Sequence, residues 1–283
     1  MSRKPLRTGY VTKFDDVNEI LASHTQGVAD IFGQTLIGVY LTGSLSYDAF
    51  NYDSSDIDVT VILQNAASGN DIEAISALHG RLQQTFRKWA ERFECSYTPI
   101  GMLSSVLPPK DPRPWYWGTD DVLYSEAIYG NEWIIGNYLL YQHAIPLVGP
   151  SFRELTGPVN IEDVQRACIR DLFVEWERKA VDRAWFTDSH HEVYYILNMC
   201  RILYTVMCRD AGSKKTAAAW VKDHYGEPWR SLVAKAEQWR YGLELGLQQE
   251  AIEFLRFVTD RVLETQLAEE MADELRALRQ PNR

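Results

Sequence analysis

Hydrophobic positions in the first third of the chain alternate between helical and strand-like spacing. Residues 15–32 and 70–93 place apolar side chains every three or four positions, which predicts two amphipathic helices. Residues 36–42 form a short apolar run, 56–63 alternate between polar and apolar positions, and 94–103 are a third strand candidate. Helices interleaved with short strands in this order predict a small sheet covered by helices.

The central segment carries turn signals rather than a clear period. Residues 104–118 contain four prolines and a Trp-Tyr-Trp run, which predicts a loop that serves as a lid, a substrate wall or a rigid connector. Helical spacing resumes over 120–142, and the Gly-Pro pairs within 145–160 mark the best domain boundary.

From about residue 160 onward the pattern is helical. The predicted helices cover 161–183, 189–210, 213–224, 227–240 and 245–278. We interpret the acidic stretch 264–274 as a solvated helix face. The chain is therefore predicted to be α+β, with a small mixed β-sheet domain over 1–157 and an all-α helical-bundle domain over 158–283.

Charge and composition argue against nucleic-acid-binding and membrane-spanning classes of protein. The formal net charge is −10, from 39 acidic and 29 basic residues, which argues against a nucleic-acid partner. No apolar run reaches the length of a membrane span, and the N-terminal MSRKPLRTGYVTKFDD lacks the apolar core of a secretory signal. We therefore expect a cytoplasmic protein without a membrane partner, and a monomer.

The four cysteines are not paired in the CxxC spacing typical of zinc sites. Buried free thiols are the expected state of all of them: Cys95, Cys168, Cys200 and Cys208.

Two aspartates at the start of the second strand raise a chemical question. Asp56 and Asp58 share the polar face of that strand, where two like charges repel each other. They could cap a turn, form the exposed face of an edge strand, or hold Mg²⁺, which binds one or two carboxylates together with water and substrate phosphates.

The preceding Gly43-Ser44 turn favours the magnesium interpretation. Glycine after a strand permits close backbone approach, and the amide groups that follow can bind phosphate oxygens. Glu94 opens the third strand candidate, where it could complete the metal shell or take a proton from an attacking hydroxyl. A salt-bridged acid at a strand end is the structural alternative for Glu94.

These residues resemble a known superfamily. Gly-Ser, about a dozen intervening residues, and Asp-x-Asp leading into an apolar strand resemble the nucleotidyltransferases that include DNA polymerase β. The segments AIPLVGPSF, YYILNMCRILYTV and GSKKTAAAW are similar to the bacterial aminoglycoside (3'')(9)-adenylyltransferases, which inactivate streptomycin and spectinomycin. The likeness covers residues 35–240 and implies a nucleotidyltransferase domain followed by a helical domain that completes the nucleotide and substrate sites.

The resemblance implies roles for individual residues. A catalytic and metal-binding set would hold two Mg²⁺ ions: Asp56, Asp58 and Glu94. Within this set Glu94 would be the general base. A second set would bind the co-substrate ATP: Gly43, Ser44, Ser55, Arg201, Lys214 and Tyr241. From the residues alone, Arg201 could equally form a surface salt bridge and Lys214 could be an ordinary first-turn lysine.

A third set would bind a small cationic aminoglycoside or aminocyclitol: Trp115, Trp117, Glu126, Trp185, Asp188, His191 and Glu192. The family has an aspartate where this chain has His191, which leaves the identity of the drug open. His190 and His191 also suggest a metal site, but neighbours on a helix diverge by about 100°, which argues against shared ligation.

The sequence therefore predicts an enzyme that transfers AMP from ATP to a drug hydroxyl and releases pyrophosphate. A nucleotidyltransferase acting on a protein or another metabolite, and a non-catalytic nucleotide-binding regulator, are the alternatives.

Overall fold

The computed structural model of the protein describes residues 11–181, 185–186 and 188–279. The chain divides into two compact units, Met1–Pro158 and Val159–Arg283. The expectation that no secretory signal is present falls largely on residues 1–10, which lie outside the described residues. None of the helices within the described ranges is both long and apolar enough to cross a membrane.

A six-stranded mixed sheet organises the first unit, with strand order β5-β4-β3-β2-β1-β6. The strands are β1 (Leu36–Leu41), β2 (Ile57–Leu63), β3 (Phe93–Pro99), β4 (Arg113–Trp117), β5 (Val122–Ala127) and β6 (Ile145–Val148). The β2–β3 pair is parallel, and the other neighbouring pairs are antiparallel. The prediction of an α+β chain with a mixed sheet is confirmed.

The apolar face of the sheet lies under two helices. Helix α1 (Asp15–Phe32) contacts α3 (Gly69–Thr85), and both contribute to a core that includes the odd-numbered residues of β2. Because side chains alternate along a strand, the even-numbered residues of β2 and β3 lie together on the opposite face. The remaining helices of this unit are α2 (Gly43–Ser46), α4 (Arg87–Ala90) and α5 (Glu132–His143).

Three of the predicted elements in this unit are wrong in type or length. The predicted loop 104–118 contains β4, and the predicted helix 120–142 contains β5 before α5 begins. The helix predicted over 70–93 ends at Thr85, because Phe86 leaves the helical region with φ −126° and ψ 40°.

The second unit is helical over its described residues. Its helices are α6 (Ile161–Asp171), α7 (Glu177–Val181), α8 (Ser189–Cys208), α9 (Lys214–His224), α10 (Trp229–Glu237), α11 (Gln248–Leu263), α12 (Gln266–Glu270) and α13 (Ala272–Arg279). A π-helical turn, Leu172–Trp176, joins α6 to α7. The single helix predicted over 245–278 is wrong, because Thr265 accepts a hydrogen bond from the Ala268 amide and starts a new helix there. Residues 182 and 183 of the predicted helix 161–183 lie outside the described residues.

All four cysteines are free thiols, as predicted. Cys95, Cys168 and Cys200 are buried, but Cys208 is exposed at the end of α8. The expectation that all four are buried is therefore wrong for Cys208.

A polar cluster lies inside the core of the first unit. The Nε2 atoms of His24 and His79 lie 3.3 and 2.8 Å from the Tyr97 hydroxyl, and the Cys95 sulfur lies 3.5 Å from His24 Nε2. Both imidazoles are buried, and burial lowers the pKa of His24 to about 3 and the pKa of His79 well below its usual value. Both rings are therefore neutral in the folded protein near neutral pH.

Acid should destabilise the protein through this cluster. Below about pH 6.5 the unfolded chain binds protons at both histidines while the folded chain does not, so the free energy of unfolding should fall by about 2–3 kcal/mol per pH unit. Chemical denaturation between pH 7 and pH 5 measures this slope. His79→Gln should reduce the slope, whereas His143→Gln, at an exposed histidine of the same unit, should leave it unchanged. An equal slope in wild type and His79→Gln would contradict this account.

Candidate functional site

Two of the predicted catalytic carboxylates lie side by side on the polar face of the sheet. Asp58 in β2 is the register partner of Glu94 in the parallel strand β3, so both side chains project from adjacent strands on one face. Asp56 precedes β2, and the amide of Ile57 donates to the Arg92 carbonyl (2.8 Å), which fixes the start of β2 against the start of β3. All three carboxylates are partly buried.

The Gly43 turn covers the Asp58 carboxylate. Gly43 has φ +61°, and a Cβ atom added there would lie 1.8 Å from Asp58 Oδ2. The Thr42 amide donates to the Asp58 carbonyl (2.9 Å), which fixes the turn against β2. Glycine is therefore required at this position for two reasons, the left-handed backbone and the close approach of a carboxylate.

Gly43→Ala should abolish the activity proposed below while the chain still folds. The added methyl group must displace the Asp58 carboxylate, and the left-handed backbone adds about 1 kcal/mol of strain. Gly33→Ala is the matched control, because Gly33 has φ +50° but nothing lies within 4 Å of an added Cβ. Turnover and thermal stability should be measured together. Equal turnover in the two variants would show that the contact with Asp58 has no role.

Arg92 holds the loop that leads into the two aspartates. Its guanidinium donates from Nη1 to the Tyr52 carbonyl (3.0 Å) and from Nη2 to the Ser55 carbonyl. The Ser55 hydroxyl accepts from the Asn51 amide (2.9 Å), so this predicted phosphate ligand also closes the loop on itself. Ser44 lies in the short helix α2 directly after Gly43. Sequence reasoning missed Arg92, whose contacts are to backbone carbonyls brought together only by the fold.

The donor set of this site fits Mg²⁺. Carboxylate oxygens are the ligands that Mg²⁺ prefers, and it commonly keeps several positions for water and substrate phosphates. Among the described residues, the three carboxylates do not form a ready-made cage with ligand atoms within 4.8 Å of one another. Such tight groups occur elsewhere, at His24, His79 and Cys95 and at Asp188, His190 and His191.

The predicted substrate residues of the first unit lie on β4 and β5. Trp117 is the register partner of Glu94, and Trp115 is the register partner of Ser96, so both indoles project from the same face as the carboxylates. Their rings are stacked, with centroids 5.9 Å apart. Glu126 is exposed on the edge strand β5.

The predicted phosphate-binding residues of the second unit lie on α8 and α9. Arg201 is in the middle of α8 and is partly buried. Burial raises the pKa of the Cys168 thiol, and the nearby charge of Arg201 opposes that rise. Lys214 is the first residue of α9, and its ammonium lies 4.7 Å from the centre of the Tyr194 ring. Tyr194, which sequence reasoning missed, is two helical turns from Arg201 and is exposed.

Several predicted ligands meet at the start of α8. Asp188 caps this helix by accepting from the His191 amide, and its carboxylate lies 2.9 Å from His191 Nδ1. The contact with His191 lowers the pKa of Asp188, against the opposing effect of burial. The ring centroids of Trp185 and His191 are 5.1 Å apart, and those of Tyr241 and His190 are 5.8 Å apart.

His190 and His191 lie closer together than their position as helix neighbours predicts, and the expectation that they do not share a metal ion stays a prediction. Both rings offer ligand atoms that lie, together with an Asp188 oxygen, within 4.8 Å of one another. In the first turn of a helix the capping side chain folds back onto the residues that follow, and this brings the three groups together. His190 also stacks on Trp239, with ring centroids 5.1 Å apart.

Glu192 is buried, unlike Asp188 and His191. Its Oε2 accepts from the Leu247 amide (2.9 Å) and the Ser189 hydroxyl (3.0 Å). These bonds fix the chain where α11 begins. Glu192 therefore has a clear structural role in this unit, and its predicted contact with substrate stays a prediction.

Comparisons with known proteins identify similar sequences and a similar fold. Residues 154–264 match the family described as aminoglycoside adenylyltransferase, C-terminal domain. The chain is 27% identical over 219 residues to the spectinomycin 9-adenylyltransferase of Staphylococcus aureus, which covers 68% of this chain and 73% of that protein. It is 26% identical over 239 residues to the aminoglycoside (3'') (9) adenylyltransferase of Klebsiella pneumoniae, covering 79% and 85% of the two chains.

A solved structure shares the fold. The spectinomycin adenyltransferase of Enterococcus faecialis, crystallised with ATP and spectinomycin, is similar with a TM-score of 0.66 and 16% identity. The match covers 87% of this chain and 99% of that one. At this identity the likeness is one of fold, a mixed-sheet unit followed by a helical region.

Proposed function

We propose that the chain is an aminoglycoside adenylyltransferase that transfers AMP from ATP to a hydroxyl of spectinomycin, streptomycin or a related aminocyclitol. Pyrophosphate is the second product. The observation that carries this proposal is the pairing of Asp58 with Glu94 on adjacent strands, directly against the Gly43 turn.

The three carboxylates would have different roles in the reaction. Asp56 and Asp58 would hold up to two Mg²⁺ ions, which when bound would neutralise the triphosphate and lower the pKa of the drug hydroxyl. The Glu94 carboxylate takes the hydroxyl proton. The hydroxyl oxygen then attacks the α-phosphorus in line, the bond from that phosphorus to the bridging oxygen breaks, and pyrophosphate leaves.

Other predicted residues in each of the two units would bind and orient the reactants. Gly43, Ser44 and Ser55 would donate hydrogen bonds to the triphosphate, and Arg201 and Lys214 would neutralise its charge. Tyr241 would contact the nucleotide. Most of the catalysis would come from positioning and fixed charges rather than from a covalent intermediate.

The drug would be bound by aromatic and acidic side chains. Candidates in the first unit are Trp115, Trp117 and Glu126. Candidates in the second unit are Trp185, Asp188, His191 and Glu192. Because His191 replaces a carboxylate expected from the family, the affinity for the more strongly cationic drugs should be reduced.

Pyrophosphate release tests the proposal. The purified chain is mixed with ATP and Mg²⁺ and then with spectinomycin, streptomycin and further aminoglycosides, each in turn. Release that depends on one of these drugs and on Mg²⁺ supports the proposal. ATP binding without turnover on any drug would contradict it and would favour a nucleotide-binding regulator. Turnover only with a protein or another metabolite would show a different nucleotidyltransferase.

A further inference from the structure

Four side chains form a continuous track on the catalytic face of the sheet. Strand β4 places Arg113, Trp115 and Trp117 on one face, because side chains alternate along a strand. Tyr124 of β5 stacks on Trp115 with ring centroids 5.4 Å apart. Trp117 is the register partner of Glu94, so the track begins beside the proposed general base. We call Trp117, Trp115, Tyr124 and Arg113 the β4 track.

The two ends of the β4 track carry opposite charge. Asp58 and Glu94 lie at the Trp117 end. Arg113 lies four residues along the strand from Trp117, a distance of about 13 Å at the usual rise per residue. Its Nε donates to the Ser96 hydroxyl (3.1 Å), and its guanidinium lies 3.6 Å from the centre of the Tyr129 ring.

The Arg113 charge has no acidic partner in the part of the chain that the structure describes. Arg113 is only 7% exposed, and no ion pair between described residues includes it. Its buried Nη1 has no hydrogen-bond partner within the same set. A buried cation held by a hydroxyl and a ring costs stability, because nothing neutralises it. The hydrogen bond to Ser96 and the contact with Tyr129 hold Arg113 in place but do not neutralise its charge.

We propose that Arg113 sets the orientation and selectivity of an acceptor bound along the β4 track. The edges of the stacked rings form an apolar wall for a rigid ring system. Ammonium groups of the acceptor lie at the Glu94 end, and an uncharged, oxygen-bearing end lies beside Arg113. This inference rests on the proposed function and adds to it a preference among acceptors.

The preference follows from where an acceptor carries its charges. Spectinomycin has its methylammonium groups on one ring and a carbonyl group on the ring at the other end. Streptomycin carries guanidinium groups at one end and a methylammonium group at the other. The fixed guanidinium of Arg113 at the far end of the track therefore disfavours streptomycin more than spectinomycin, because it meets a like charge only in streptomycin.

Steady-state kinetics with both drugs tests the inference. Arg113→Met removes the charge and keeps an apolar stem of similar length, and it should reduce the preference for spectinomycin over streptomycin about tenfold, mainly through KM. Arg113→Lys keeps the charge and should keep most of the preference. Arg153→Met is the matched control, because Arg153 also lies over a tyrosine ring (5.2 Å from Tyr141) but donates to the Tyr141 carbonyl, near the end of α5, in an exposed hydrogen bond.

A second pair of variants covers the case in which Arg113→Met does not fold. Tyr124→Ala should raise KM for both drugs about tenfold, as loss of a stacking contact does, whereas Tyr124→Phe should not. Drug binding followed by tryptophan fluorescence provides a readout that does not need turnover.

Two failures are distinguishable. If wild-type turnover persists and neither Arg113→Met nor Tyr124→Ala changes KM, the β4 track does not bind the acceptor, although the proposed function stands. If the wild-type protein neither binds nor modifies either drug, the proposed function is overturned and this inference with it.

Discussion

Asp58→Asn should lower AMP transfer by at least about a thousandfold, because a metal-assisted phosphoryl transfer loses several kcal/mol of charge stabilisation with its principal carboxylate. The amide that replaces the carboxylate keeps its shape under the Gly43 turn, where the structure leaves no room for a larger group. The expected defect is therefore one of charge and not of packing. Removing one of two repelling carboxylates should leave thermal stability unchanged or raise it.

Calorimetric titration of ATP in the presence and absence of Mg²⁺ locates the defect. Wild type should bind ATP more tightly with Mg²⁺, and Asp58→Asn should lose that difference. Asp53→Asn is the matched control, since Asp53 is exposed in the loop just before the site. A variant that keeps full Mg²⁺-dependent binding and turnover would show that Asp58 holds no metal.

Glu94→Gln should lower kcat by about a hundredfold to ten-thousandfold, the usual contribution of a general base. Its affinity for ATP with Mg²⁺ should not change, because a base acts on the drug hydroxyl rather than on the nucleotide. This outcome separates the two roles that a third carboxylate can have here. Loss of Mg²⁺-dependent ATP binding in this variant would assign Glu94 to the metal shell instead.

The control for Glu94 is Glu91→Gln. Glu91 precedes β3 and is half exposed, in a surface ion pair with Arg87 (2.9 Å). Such pairs contribute little, so its turnover should equal that of wild type. Single-turnover kinetics at saturating ATP compares the two variants directly. Equal rates in both would contradict a role for Glu94 in proton transfer.

The strongest sequence patterns predicted the parts of the fold that carry the chemistry. Strict alternation over 56–63 predicted which side chains of β2 are buried, and the structure confirms it with Ile57, Val59 and Val61 in the core. Helix α1 was predicted from its apolar period with the bounds that the structure shows. These elements are long or regular enough for periodicity to be decisive.

The failures occur where a strand has no clean alternation. In β4 aromatic rings occupy both faces, with Tyr116 in the core and the two tryptophans on the polar face, and Pro114 interrupts the run. Pro114 is accepted at an irregularity of the β4–β5 pairing between Arg113 and Trp115. The edge strand β5 is largely exposed, so burial does not require its residues to alternate between polar and apolar. Its sequence therefore also fits a helical pattern.

The candidate site was predictable only where its residues are close in sequence. Gly43, Asp56 and Asp58 belong to one short motif, and their spacing carried the prediction. Arg92 and Arg113 were missed because their contacts join distant segments. A local pattern contains no signal for such contacts, since the partner of each guanidinium is a backbone carbonyl or a hydroxyl.

The most direct test of the central claim follows the phosphorus atoms of ATP. The protein is incubated with Mg²⁺, spectinomycin and ATP labelled at either the α- or the γ-phosphate, and the drug is then separated from the nucleotides. We predict that the α-label appears on the drug and that the γ-label is released as pyrophosphate. Transfer of the γ-label to the drug, or no label on the drug while ATP is bound, would contradict the account.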